Sequence, residues 1–257
     1  MAILATATVA LLASAVGASA SFHLMNIRQV YGGGGNAAND YVELQMRATG
    51  ENFTGGHPVQ IYNATGLLAG AHLLTNVANG ADQSTILIGD TGVQGAFGVA
   101  PDVVVPGLEV SDFAMNGAVC YPDSSPPDCV AWGGFTPQGG FPDMASAGGA
   151  NNFSSAINDT MALTRRIDRG CPTLLESPVD DVGPSSADFT PTAPSPRNNA
   201  MAPTERACGG AMKKKKKCAK HKKKPPSAYS AKKKKCKQHK KKQRAAVSGK
   251  SRSAAHA

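Results

Sequence analysis

The feature that most restricts the fold of this chain is a series of short hydrophobic segments, each bounded by Gly, Pro, Asn or Asp. In residues 41–46, the apolar side chains Val42, Leu44 and Met46 alternate with more polar neighbours. This two-residue period predicts a strand with one buried face. Residues 25–27 begin a similar pattern, so the chain is predicted to open with a pair of strands.

The rest of the chain up to about residue 208 continues this pattern of short segments. Further strand candidates are residues 59–62, 84–88, 118–121, 128–132 and 161–167. Residues 32–39 are predicted to form the loop between the first two strands. The stretch from residue 22 to residue 208 is long enough for one sizeable core. About seven short strands predict an all-β fold of the β-sandwich type.

A proline-rich segment closes this region. Residues 178–204 contain six prolines together with several Ser, Asn and Asp residues. Proline has no backbone N–H, so such a segment cannot donate a continuous ladder of hydrogen bonds. We therefore expect an irregular segment whose apolar residues pack onto the sandwich.

The region from Leu24 to Pro194 resembles the lamin-tail domain family. The resemblance rests on residues 27–31 followed by a Gly/Asn loop and Asp40-Tyr41-Val42-Glu43-Leu44, on residues 59–69, on Asp128-Cys129-Val130-Ala131-Trp132-Gly133 and on residues 190–194. It implies an immunoglobulin-like β-sandwich. That family includes nuclear lamins and modules of secreted or surface bacterial proteins, sometimes beside nucleases or other hydrolases. No catalytic residues are implied by it.

The N-terminus is predicted to be a secretory signal peptide. Residues 1–16 are uncharged and rich in Ala, Val and Leu, and Ala18-Ser19-Ala20 forms a small-x-small cleavage signature. We take residues 1–20 as the signal peptide. No later segment approaches the roughly 20 apolar residues of a membrane-spanning helix. The protein is therefore expected to be secreted or associated with the cell envelope.

Six cysteines in an exported chain favour disulfides. The disulfide candidates are Cys120, Cys129, Cys171 and Cys208, for which three pairings are possible. Cys120 with Cys129 is favoured because the two flank a Pro/Asp/Ser loop and would face each other across a hairpin, which leaves Cys171 with Cys208. The alternative is free, buried thiols in a cytosolic protein.

Charge divides the chain into two parts. Residues 1–205 contain six arginines, no lysine and all 18 acidic residues, a net charge of −12, whereas residues 206–257 contain 18 lysines and three arginines, a net charge of +21. We take residues 21–208 as the sandwich together with its proline-rich segment, and residues 209–257 as a polybasic tail. The tail is of low complexity and is predicted to be disordered.

The tail lysines are candidates for binding polyanions. They are Lys213, Lys214, Lys215, Lys216, Lys217, Lys222, Lys223, Lys224, Lys232, Lys233, Lys234, Lys235, Lys240, Lys241 and Lys242. The expected partners are an anionic cell-wall polymer or a membrane surface, or nucleic acid bound without sequence preference. Tyr229 is the tail's only aromatic residue, which disfavours base stacking.

Metal and cofactor sites are not expected. Cys218, His221, Cys236 and His239 would provide four zinc ligands, but the surrounding lysines repel a divalent cation. A second group, Glu176, Asp180, Asp181 and Asp188, lacks the spacing of a calcium loop and is interpreted as a solvated acidic loop.

Catalysis is not expected either. His23, His57 and His72 lie outside any nucleophile or metalloprotease motif and are interpreted as surface or strand-edge residues. The predicted function is a non-catalytic structural or binding module at the cell envelope, with the tail as electrostatic anchor. The alternatives are an extracellular nucleic-acid-binding protein or an accessory domain of a hydrolase system. A hydrolase would require His57 or His72 to converge with Asp and Ser in one cleft. The ligand of the sandwich stays unidentified.

Overall fold

The computed structural model describes residues 23–205 except residues 34, 159, 172 and 177. The predicted signal peptide and polybasic tail lie outside the described residues. The strands are β1 Met25–Tyr31, β2 Tyr41–Met46, β3 Pro58–Tyr62, β4 Leu68–Leu73, β5 Thr85–Gly89, β6 Val103–Val104, β7 Gly117–Tyr121, β8 Asp128–Trp132, β9 Ala162–Arg165 and β10 Phe189–Thr192. Two short helices are α1 Val93–Phe97 and α2 Ser185–Asp188. None of the helices in the described region is long and apolar enough to cross a membrane.

The strands form two sheets. One sheet has six strands in the order β10-β9-β1-β2-β5-β6, and the other has four in the order β4-β3-β7-β8. Thus β1, β2 and β5 share one sheet, and β3, β4, β7 and β8 share the other. This is the distribution of an immunoglobulin-like sandwich. The predicted all-β sandwich is confirmed.

The core lies between the two sheets, where the inward side chains of both are apolar. Val42 and Leu44 of β2 and Ile61 of β3 belong to it and are fully buried. Trp132 is also fully buried, and its indole Nε1 donates to the Phe113 carbonyl at 2.9 Å. The alternation along β2 therefore points its apolar side chains inward, as the sequence indicates.

Three strands were not predicted. β4 is rich in Ala and Gly, and β6 has only two residues. β10 lies inside the proline-rich segment that was expected to be irregular, and it pairs antiparallel with β9. Pro191 is tolerated there because β10 is an edge strand, so its missing N–H interrupts no central ladder.

The outer face of the six-stranded sheet is also covered, which corrects the expectation of one buried face. Tyr41, Glu43 and Gln45 of β2 alternate outward yet are at most 1% exposed. α1 and residues 193–205, which we call the closing segment, lie over this face. Phe97 of α1 makes edge-to-face contacts with the rings of Tyr31 and Tyr41.

Candidate functional site

Arg197 attaches the closing segment to the outer face of β2 through ion pairs and hydrogen bonds. Its Nε and Nη2 lie 3.2 and 3.1 Å from Glu43 Oε1, and its backbone amide donates to Glu43 Oε2 at 2.8 Å. Its Nη1 donates to Glu205 Oε2 at 2.9 Å. One guanidinium thus joins a buried strand carboxylate to the far end of the closing segment, with the planar multi-donor geometry that suits arginine.

A second set of polar contacts runs beside this ion pair. Gln29 of β1 accepts a hydrogen bond from the Ser195 amide at 3.0 Å and from the Tyr41 hydroxyl. Its Nε2 donates to Thr164 Oγ1 at 2.6 Å. These hydrogen bonds pair the donor and acceptor atoms of the buried Gln29 side chain, and they attach the closing segment to the sheet.

Between the closing segment and the sheet lies a cleft of about 380 Å³, which we call the outer cleft. Its lining combines charges of both signs with an aromatic and a few apolar side chains: Arg28, Gln29, Glu43, Phe97, Thr164, Pro194, Ser195, Pro196, Arg197, Met201, Thr204 and Glu205. Arg28 lies at a register shift between β1 and β2 and donates to the Arg165 carbonyl. The Arg28 side chain also lines the outer cleft.

Burial governs the electrostatics of the outer cleft. Burial raises the pKa of Glu43 to about 7, with Arg197 and its amide opposing the shift. Burial also lowers the pKa of Arg28, partly offset by Glu43. Both effects reflect the cost of burying a charged group away from water.

Metal binding has no support in the described part of the chain. Within residues 23–205, apart from the four undescribed positions, no group of three or more His, Cys, Asp or Glu side chains is arranged to hold a metal ion.

The three histidines of the sandwich each contact a carboxylate. His23 Nδ1 lies 3.2 Å from Glu51, His57 Nδ1 lies 2.9 Å from Asp123, and His72 Nε2 lies 2.7 Å from Glu109. His57 and His72 are partly exposed, but His23 is only 4% exposed. Of the two predicted positions, surface or strand edge, burial excludes the surface for His23, which packs edge-to-face against the His57 ring.

The His57–Asp123 pair lies beside a serine in the sequence, so it is a candidate for part of a hydrolase constellation. Ser124 follows Asp123 directly, but it is fully buried and its hydroxyl donates to the Met25 carbonyl. A nucleophile must be accessible to substrate and oriented by the base. The hydroxyl of Ser124 meets neither condition in this arrangement.

The acidic group Glu176, Asp180, Asp181 and Asp188 is not the solvated loop that the sequence predicts, because two of its members are buried. Asp180 and Asp188 are at most 1% exposed. Asp188 contacts Arg169 at 2.5 Å, and Asp180 accepts the amides of Arg169 and Glu176 at 3.2 and 3.0 Å. Internal cations and amides, rather than solvent, balance these carboxylates.

Every arginine among the described residues has an acceptor within the sandwich. Arg165, Arg166, Arg169 and Arg197 pair with carboxylates, whereas Arg28 and Arg47 donate to the backbone carbonyls of Arg165 and Ser125. The same range contains no lysine. Arg166 is the only cation in the exposed class among the described residues, and it lies 3.1 Å from Asp168. The described surface therefore offers no cation that lacks an acceptor within the sandwich.

The cysteines partly follow the prediction. Cys120 and Cys129 lie opposite each other on β7 and β8 and form a disulfide. Cys171 is also disulfide-bonded. Its predicted partner Cys208 lies outside the described residues, so that pairing stays a prediction.

The fifteen candidate lysines, from Lys213 to Lys242, also lie outside the described residues. The outer cleft was not predicted, because its groups come from distant parts of the sequence. Comparisons of the chain with protein-family models, with curated proteins and with solved structures find no match.

Proposed function

We propose that this chain is an exported, non-catalytic binding or structural module of the cell envelope. The lysines of residues 209–257 attach it to an anionic wall polymer or membrane surface, and the acidic sandwich is the part that is displayed. The observation that supports this division is that every arginine among the described residues has an acceptor within the sandwich, while residues 1–205 have a net charge of −12. A surface of this kind repels polyanions, so attraction has to come from the C-terminal lysines.

The sandwich itself is proposed to be lamin-tail-like. This proposal is supported by the position of the Asp40-Tyr41-Val42-Glu43-Leu44 motif, which covers the end of the β1–β2 loop and the start of β2. The Asp40 carboxylate accepts the amides of Gly33 and Ser111, the latter at 2.6 Å. The acidic residue of the motif thus ties the hairpin loop to the chain that leads into β7.

Retention on anionic surfaces tests the proposed anchor. A full-length variant with the fifteen candidate lysines changed to glutamine is compared with wild type on wall fragments and on vesicles with and without anionic lipid. We expect wild type to be retained at low salt and released at high salt, and the variant not to be retained. Unchanged retention of the variant would show that the sandwich, and not the tail, binds the surface.

Duplex DNA provides a further arm of the same experiment. Wild type that binds DNA but neither wall fragments nor anionic vesicles would favour the alternative, an extracellular nucleic-acid-binding protein. A matched control changes Arg166 to glutamine, which removes a sandwich cation without altering the tail, and retention of this variant should equal that of wild type.

A further inference from the structure

Three of the four sheet edges in the described region are protected against pairing with another strand. β6 is only two residues long, and β10 contains Pro191. At the edge formed by β8, the Ala131 amide donates to Ser185 Oγ at 2.9 Å and its carbonyl accepts the Phe153 amide at 2.8 Å. These are the means by which proteins usually prevent unwanted strand pairing.

The fourth edge, β4, has little such protection. Its sequence is Leu-Ala-Gly-Ala-His-Leu, without Lys, Arg or Pro, and residues 68, 69, 71 and 73 are exposed. Leu73 is 64% exposed, and the neighbouring Leu67 is 59% exposed. A register shift opposite Ile61 and Tyr62 affects only the start of β4, so Gly70 to Leu73 form a regular strand.

The backbone of this regular part has free hydrogen-bonding groups. The Leu74 amide donates to the His57 carbonyl at 2.9 Å, and His72 and Gly70 lie opposite Val59 and Ile61. Hydrogen-bonded pairs alternate along an antiparallel ladder, so the amides and carbonyls of Ala71 and Leu73 point away from β3. They face the open edge, where another strand can accept and donate.

The charge distribution around β4 indicates which strand can pair with its open edge. From Pro58 to Ala81 the chain contains no Asp, Glu, Lys or Arg, although residues 1–205 have a net charge of −12. The nearest carboxylate partner, Glu109, lies 2.7 Å from His72. Two copies of an acidic domain can therefore approach each other with least repulsion along this hairpin.

We propose that two copies of the chain pair antiparallel through β4, which joins their four-stranded sheets into one eight-stranded sheet across a two-fold axis. An edge strand is complementary to itself under this symmetry, since each copy donates and accepts through the same residues. This inference goes beyond the proposed function, because the anchor does not require a dimer. A dimer would carry two polybasic tails, which would increase retention through multivalency.

Ala71→Pro is the sharpest variant for a test. The Ala71 amide points to the open edge, so proline removes a donor that the isolated domain does not use, and proline is tolerated on edge strands. Leu73→Lys is the second variant, since an edge lysine opposes strand pairing without changing the backbone. Met115→Lys is the matched control, because Met115 is 70% exposed but lies outside β4.

The measurement is sedimentation equilibrium of the full-length protein at high salt with free thiols alkylated, so that neither tail charge nor tail cysteines associate the chains. We expect wild type and Met115→Lys to show a concentration-dependent monomer–dimer equilibrium. Ala71→Pro and Leu73→Lys should stay monomeric over the same range, with far-UV circular dichroism like that of wild type. A wild-type protein that is monomeric up to millimolar concentration would overturn the proposal, as would unchanged dimerisation of a folded Ala71→Pro or Leu73→Lys protein.

Discussion

Arg165 is a charged residue placed in the centre of the fold. It is 1% exposed, and its guanidinium contacts the equally buried Asp128 of β8. Its Nε donates to the Ile27 carbonyl of β1 at 2.9 Å, and its Cζ atom lies 4.6 Å from the centre of the Phe189 ring. One side chain thus connects β1, β8, β9 and β10, and each contact compensates part of its lost hydration.

Replacing Arg165 by methionine should lower the free energy of unfolding by about 3–5 kcal/mol, because it leaves the buried Asp128 carboxylate without its cation. The double variant Arg165→Met, Asp128→Asn should recover at least half of that loss, since asparagine is neutral and still accepts the Ile27 amide. Urea unfolding measures both values. Arg166→Met, at an exposed ion pair, is the control and should leave unfolding unchanged. Equal losses in the single and double variants would contradict the prediction.

At the scale of elements, prediction from sequence succeeded where a strand is defined locally. β8, Asp128–Trp132, begins and ends at the predicted residues because two prolines precede it and two glycines follow it. β4 could not be predicted, because its Ala and Gly residues have little strand preference and the strand is held by its pairing with β3. The outer cleft could not be predicted either, since Glu43 and Arg197 are 154 residues apart.

The closing segment should detach from the sheet more often when the Arg197 ion pairs are removed. In Arg197→Met, Glu43 stays buried without a cation and Glu205 loses its partner, so we expect the locally open state to become about 10 to 100 times more populated. Limited proteolysis under native conditions measures this as faster cleavage between residues 193 and 205.

A second variant separates the effect of the unpaired Glu43 charge from the effect of losing the Arg197 contacts. Adding Glu43→Gln to Arg197→Met removes the buried carboxylate and should slow cleavage again, although not to the wild-type rate. Arg166→Met should be cleaved like wild type. A cleavage rate of Arg197→Met equal to that of wild type would show that Gln29 and the apolar contacts hold the closing segment without the ion pair.

At the scale of the whole molecule, the net charge of +9 describes neither part of the chain. A polybasic segment with a single aromatic residue binds polyanions mainly by releasing counterions, so its affinity depends on how many lysines it has and little on their order. Duplex DNA is a suitable probe, because the slope of log K against log salt counts the phosphates that are neutralised.

Two full-length variants test this by removing equal charge from different places. Lys213, Lys214, Lys215 and Lys216 are changed to glutamine in one, and Lys232, Lys233, Lys234 and Lys235 in the other. Each lysine that contacts phosphate contributes about 0.9 to the slope, so both variants should lose the same amount, up to about 3 to 4 units. Fluorescence anisotropy over a series of salt concentrations measures the slopes. A loss confined to one variant would mean that one cluster forms a defined site, and the tail would then be a specific ligand-binding element rather than a general electrostatic anchor.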